Sequence, residues 1–532
     1  MLNPVQARRG MAVAPHALAA HSALAVLREG GNAIEAMVAA AATIAVVYPH
    51  MNSIGGDAFW TIHAPGHEVL TIEACGPAAR RADREFYRAR QCAAIPMRGP
   101  LAANTVAGTV AGWALALDLS RERWGGGLPL SRLLADAIHY AASGTTVSSS
   151  QSRVTGDKRD DLEKQPGFAD LYLVDGDAPV AGSLFRQQKL AETLAHLARE
   201  GLADFYRGEL AAAMADELNA LGSPLERQDL SAYYARCRSP LRFDHSTGTL
   251  YNTRPPTQGV VSLLVLALAD KRNLGKVDVE SADFVHLLVE ATKQAFLVRD
   301  RYVTDPAYLA LDAQELLDDA FLAPRAAAIS MERALAWGSG KPAGDTVWLG
   351  AIDGEGRAVS FIQSLYHEFG SGVRLRETGV LWQNRGCSFS LDPAHLNALE
   401  PGRLPFHTLN PALALLDDGR AMVYGTMGGD GQPQTQASVF ARYAVFGRSL
   451  QEAISAPRWL LGRTWGQTSD TLKLESRFDP ALIDALRSRG HDVEVIGAFD
   501  ERVGHAGALA RHASGLIEGA SDPRSDGAAA GF

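Results

Sequence analysis

The chain is 532 residues long, 47% apolar and 21% charged, with a formal net charge of −9. That length exceeds one small core and allows several ordinary domains or one large layered domain. The acid excess argues against nucleic acid or an anionic membrane as partner. Four cysteines, Cys75, Cys92, Cys237 and Cys387, stand far apart with no CxxC pair, which is neither a disulfide framework nor a zinc site. A reduced, cytoplasmic setting fits, although an even count leaves bridges open.

Taken in chain order, Arg8 and Arg9 precede an Ala-rich stretch in the manner of a twin-arginine leader. Pro15, His16 and His21 interrupt it and no clean cleavage site follows, so no leader is expected. The longest apolar run, 36–47, is too short to span a bilayer and has Glu35 just before it, which predicts a buried core helix. No solenoid-type repeat and no long Ser/Gly/Pro linker divides the chain. Periodic segments at 262–273 and 282–303 predict helices, and the polar, Gly-containing stretch 330–345 predicts an exposed connector. Beyond it, 346–353 and 357–366 predict strands around a Gly-Glu-Gly turn. A second strand–turn–strand pattern covers 409–426, and 434–447 predicts a further helix. The pattern alone reaches α+β or α/β, with sheets covered by helices.

Two places in this order suggest chemistry. A hairpin centred on Glu355 sets Thr346 opposite Ser364, so that two hydroxyls face each other across the ladder. A Thr–Ser cross-strand pair is also a common structural feature, and a one-residue slip would separate the two. The second place is the Gly-rich turn 425–431, where Gly428 and Gly429 lie between a strand and a helix. Consecutive N–H groups there suit a developing oxyanion, although most Gly-Gly turns only connect elements. There is no HExxH, Walker A, GxSxG or GxGxxG sequence, and the fifteen histidines are scattered.

Several ordered motifs then carry a resemblance. GGNAIEAMVAAAATIAVVYPHMNSIGGDAFW, GTVAGWALAL, RPPTQGVVSLLVL, GDTVWLGAIDGEGRAVSFIQS, PFHTLNPAL and GTMGGDG occur in family order over almost the whole chain. In these it resembles the γ-glutamyltransferase family of N-terminal-nucleophile hydrolases. The resemblance implies an α+β fold, a four-layer αββα sandwich, and self-cleavage between Asp345 and Thr346. It implies a large subunit 1–345 and a small catalytic subunit 346–532, which remain associated and together form one αββα domain. Pairing into a dimer of heterodimers is compatible with it.

Thr346 would serve as nucleophile, its freed α-amine as local base, Ser364 as its hydroxyl partner, and Gly428 and Gly429 as the oxyanion hole. No metal or organic cofactor is implied, and no nucleic-acid or membrane partner; the partner is a small-molecule amide. Thr408 matches one of two adjacent family serines that contact the substrate carboxylate, and His407 replaces the other.

The family pattern breaks in the glutamyl pocket. Cys75 lies where an Arg for the α-carboxylate is expected, Ser388 replaces the Asp that holds the substrate α-amine, Tyr366 replaces an Asn, and Arg385 replaces a Gln. A buried ammonium without its anion is costly, so the expected acyl group has a carboxylate but no α-amine. Arg385 offers that carboxylate a donor fork, with a structural ion pair as its ordinary alternative. Within the family the pattern resembles oxamate amidohydrolases and cephalosporin/glutaryl acylases most, with oxamate as the expected substrate. A γ-glutamyltransferase or glutathione hydrolase with a rearranged pocket is the alternative, and an uncleaved binding or scaffold protein is the non-enzyme reading.

Overall fold

The structure, a computed structural model, describes residues 3–338, 345–462 and 469–532. The last part of the expected connector, 339–344, lies outside the described residues. Fourteen of the described strands build two seven-stranded sheets. In chain order they are β1 (Val5–Ala7), β2 (Gly10–Ala14), β3 (Asp57–His63), β4 (Leu70–Ala74), β5 (Arg236–Arg238), β6 (Leu241–His245) and β7 (Gly248–Asn252). They continue with β8 (Asp345–Asp353), β9 (Ala358–Tyr366), β10 (Ala412–Leu416), β11 (Ala421–Thr426), β12 (Ala506–Arg511), β13 (Ile517–Ser521) and β14 (Ala528–Gly531). One sheet runs β1-β13-β12-β11-β10-β7-β6 and the other β14-β2-β8-β9-β3-β4-β5. Every neighbouring pair is antiparallel.

The two sheets pack face to face through Met11, Phe59, Trp348, Ile362, Leu413 and Leu509. Helices cover both outer faces. α1 (Ala17–Arg28), α2 (Ala33–Val47) and α3 (Thr109–Trp124) lie over the β8–β9 sheet. α4 (Gly259–Lys271), α5 (Ala282–Tyr302) and α6 (Gly431–Phe440) lie over the other. The result is a four-layer αββα sandwich of the α+β class.

The expected buried helix is α2, and all fifteen of its residues are buried. Glu35 belongs to the helix, because its carboxylate closes a capping box with Asn32 and accepts the Leu128 N–H at 2.9 Å. The expected hairpin is β8–β9. Asp353 Oδ1 accepts the Glu355 and Arg357 N–H groups at 3.0 and 3.1 Å, which holds the turn. Asp353 Oδ2 accepts the Ala33 N–H at 3.1 Å, which ties the turn to the start of α2. No described helix is long and apolar enough to cross a membrane, and none of the four cysteines is in a disulfide.

Candidate active site

One rim of the sandwich gathers the start of β8, the end of β9, the start of β3 and the end of β4. The facing sheet brings the end of β11 and the start of β10 to the same rim. Trp348 on β8 packs against Gly425 on β11, where any Cβ would collide with the indole. That glycine is therefore required for the sheets to close at this point.

The β8–β9 register shifts between Asp345 and Val347, so a bulge falls on Thr346. Bulges re-aim side chains, and here Thr346 Oγ1 donates to Ser364 Oγ at 3.3 Å. Both residues are buried and face the inner layer, because Ser364 is registered with Asp57 and two residues along Ile362 is registered with Phe59. Ser364 Oγ also accepts the Tyr366 N–H at 2.8 Å, which fixes the partner hydroxyl. The hydroxyl pair expected from the hairpin is thus present.

Gly428 and Gly429 follow β11 with φ of 113° and 53°, a left-handed turn that favours glycine. Among the described residues neither glycine N–H finds a protein acceptor. Gly428 O and Gly429 O instead accept the Gly431 and Gln432 N–H groups at 2.8 and 3.2 Å, at the start of α6. Gln258 Nε2, at the head of α4, donates to Gly429 O at 2.8 Å and Thr408 O at 2.9 Å, and so ties this turn to the His407–Thr408 segment. Arg299 on α5 sits 3.0 Å from Asp430, the residue after the glycines.

The expected substrate contacts form a second group. Arg385 lies in a 3-10 turn, Arg385–Ser388, and is 1% exposed. Its guanidinium stacks 3.8 Å from the Tyr366 ring centroid, and its Nε and Nη2 have no hydrogen-bond partner among the described residues. Tyr366 ends β9 with φ of 85°, uncommon for a bulky residue, and burial pushes its hydroxyl pKa up. His407 packs edge-on against Phe59, and burial followed by the Arg385 charge holds its pKa well below the imidazole range. Thr408 Oγ1 and Ser388 Oγ are buried without hydrogen-bond partners among the described residues. A cavity of about 380 Å³ opens before this group, lined by Tyr366, Ser388, Phe406, Arg299 and Asp430. Arg385, His407 and Thr408 do not line it; Tyr366 does, with Arg385 stacked on its ring.

One residue of this group escaped the sequence reading. Asp57 opens β3 opposite Ser364 and is fully buried, with Oδ2 3.3 Å from His407 Nε2. Burial pushes its carboxyl up to about 7 against the opposing pull of Arg385. Its only signal was an acid inside the Gly-rich motif IGGDAFW. Gln258 was likewise visible only as part of RPPTQG.

The gamma-glutamyltranspeptidase family pattern matches residues 19–532. The chain belongs to the γ-glutamyltranspeptidase family. It is similar to the oxamate amidohydrolase proenzyme of Klebsiella pneumoniae subsp. pneumoniae, 59% identical over 523 residues and 98% of each chain. It is also similar to the glutathione hydrolase-like YwrD proenzyme of Bacillus subtilis, 40% identical over 98% of each. The cephalosporin acylase structure from Bacillus halodurans superposes with a TM-score of 0.91 at 32% identity, covering 100% of this chain and 97% of that one. Like its family, this chain is an amidohydrolase of the N-terminal-nucleophile class, with the αββα sandwich that class requires.

A possible metal cluster elsewhere, His286, Glu290 and His491, is a hydrogen-bonded clasp. His286 Nδ1 and His491 Nε2 are 2.8 Å apart, and His286 Nε2 meets Ser330 O at 2.8 Å. Glu290 accepts Lys293 Nζ at 2.7 Å and the Leu335 N–H at 3.0 Å. With each of these groups engaged, the cluster pins the connector after α5.

Proposed function

We propose that the chain cuts itself between Asp345 and Thr346 and then hydrolyses oxamate to oxalate and ammonia with Thr346 as nucleophile. The observation that carries this is the buried Thr346–Ser364 hydroxyl pair on the bulge at the start of β8.

In maturation, Thr346 Oγ1 attacks the Asp345 carbonyl, the acyl group moves from nitrogen to oxygen, and water hydrolyses the ester. The freed Thr346 α-amine, a group that titrates near pH ~7.7–8.0 in peptides, then serves as base for its own hydroxyl. In turnover, the hydroxyl attacks the substrate amide carbonyl. The Gly428 and Gly429 N–H groups stabilise the oxyanion. The protonated amine gives its proton to the departing ammonia, and water attacks the acyl ester to release the acid.

Arg385, His407 and Thr408 are the carboxylate contacts in this reading, with Tyr366 and Ser388 at the mouth. Supporting it are the unpartnered Arg385 Nε and Nη2 and Thr408 Oγ1, buried donors that lack an acceptor. Ser388 offers a substrate ammonium no anion, which favours an acyl group without an α-amine. The relative named for oxamate, 59% identical, supports the same substrate. After cleavage the fragments 1–345 and 346–532 stay together, and a dimer of such heterodimers is the assembly we favour. A cytoplasmic setting agrees with the four unpaired thiols.

The test is mass spectrometry of the purified protein and of Thr346→Ala, followed by assays of the mature enzyme. A new N-terminus at Thr346 that disappears in the variant is expected. Ammonia release from oxamate should exceed turnover of γ-glutamyl-p-nitroanilide in kcat/KM. A different N-terminus, or preference for the γ-glutamyl compound, refutes the reading.

A further inference from the structure

Asp57 has a charge problem that the reaction proposed above makes worse. Its Oδ1 accepts the Gly76 and Gly108 N–H groups at 3.1 and 2.9 Å, and so is fixed by backbone. Its Oδ2 lies 3.3 Å from His407 Nε2 and makes no aligned hydrogen bond among the described residues, although the Gln383 side chain lies close enough to favour the carboxylate. The groups facing it come from several elements. They are Arg385 in the 3-10 turn, His407 before β10, Cys75 after β4, and the phenols Tyr206 and Tyr233. Burial holds His407 neutral and keeps the Cys75 thiol and both phenols protonated. Glu73, further back on β4, sits 3.6 Å from Arg238. Arg385 is thus the buried cation that acts on Asp57, while the neighbouring Arg299 is already paired with Asp430 at 3.0 Å. A substrate carboxylate on Arg385 would set two anions around one buried cation. Two carboxylates that share a low-dielectric site do not both stay ionised.

We propose that Asp57 is a positioning residue that takes up one proton when a carboxylate occupies the Arg385–His407–Thr408 site, so that anion and proton bind together. The proposal rests on the carboxylate site described under the proposed function. The proton moves from solvent to Asp57 Oδ2, and no other bond forms or breaks. Burial already brings this carboxyl to about 7, so the proton is available near neutrality. Once protonated, Oδ2–H has an acceptor 3.3 Å away in His407 Nε2, and a small rotation of the carboxyl or the ring aligns the pair. The neutral imidazole then carries its own proton on Nδ1, a nitrogen that has no partner here. His407 thereby becomes a further donor for the bound carboxylate.

The experiment titrates the mature wild-type enzyme and Asp57→Asn with oxalate by calorimetry. It uses two buffers of different ionisation enthalpy at several pH values. Asn keeps an acceptor for Gly76 and Gly108 but cannot titrate. Wild type is expected to take up close to one proton per oxalate, with the dissociation constant rising about tenfold per pH unit above neutrality. D57N is expected to lose that uptake and that slope, retaining only what belongs to oxalate itself.

Should D57N fail to fold, infrared difference spectra of the wild type with 13C-oxalate read the same event. A new protonated-carboxyl band at unlabelled frequency is expected. Oxalate binding without proton uptake, uptake unchanged in D57N, or absence of that band overturns the proposal. Failure of oxalate to bind wild type at any pH instead overturns the carboxylate site itself.

Discussion

Arg385 is the residue whose substitution separates charge from geometry. Lysine keeps the charge but loses the planar fork and the stack on Tyr366. Steady-state kinetics on oxamate should show Arg385→Lys raising KM with kcat nearly kept, and Arg385→Ala costing about 1.5–3 kcal/mol of binding or more. Equal KM in both variants would remove Arg385 from the site. Gln258 tests the other half of the site, because one amide group holds both Gly429 O and Thr408 O. Gln258→Ala should lower kcat by roughly tenfold, about 1.4 kcal/mol, and raise KM as well. A change in KM alone would mean that the glycine turn does not depend on it.

Asp57 also leaves a stability signature. Its folded carboxyl is raised to about 7, above the unfolded value near ~3.9. Between those values the folded state holds a proton that the unfolded state has lost, so the contribution to stability falls as pH rises through this window. Urea midpoints should therefore show D57N gaining on wild type from about pH 5 to about pH 7 and levelling off above. A constant gap would contradict the assignment.

The β8–β9 hairpin is the element that organises the rim, and its two ends have different jobs. At the turn, Asp353 serves the hairpin and the start of α2 together, and Arg357 Nε meets its Oδ2 at 2.6 Å. Asp353→Ala leaves the buried Ala33 N–H unpaired, at about 1–3 kcal/mol, and frees three part-buried donors at a smaller cost each. Thermal unfolding should show a clearly lower midpoint, while kcat on oxamate stays near wild type because the turn is at the far end from Thr346. Loss of activity at full stability would contradict this division. At the open end, the bulge on Thr346 brings its hydroxyl to Ser364. The hairpin and its register were legible in sequence because GEG fixes a local turn and every pairing follows from it. The bulge was not, since it falls at the open end of the hairpin, where the turn no longer dictates the register.

At the scale of the molecule, the cleavage proposed after residue 345 would not release a domain. Strands of the 346–532 segment stand between strands of the 1–345 segment in both sheets. In one, β13 to β10 lie between β1 and β7; in the other, β8 and β9 lie between β2 and β3. The shared ladders and the common inner layer should keep the fragments together. Gel filtration in native buffer is expected to give one peak that a denaturing gel resolves into two bands. Fragments that separate without denaturant would refute this.

The sequence by itself determined the family, the strand–turn–strand units, the buried α2, the facing of Thr346 and Ser364, and the Gly428–Gly429 turn. All of these rest on short-range pattern or on ordered motifs that survive without coordinates. The tertiary structure decided what those motifs meet. Asp57 gains its role only because β3 pairs with β9, and because the loop before β10 brings His407 to 3.3 Å from it. Arg385 reads as a pocket residue in sequence, yet it is sealed beside Tyr366 behind the open cavity. Local pattern encodes backbone conformation, whereas the charge balance of a buried site depends on long-range pairing and on the removal of water, and both exist only once the sheets have closed.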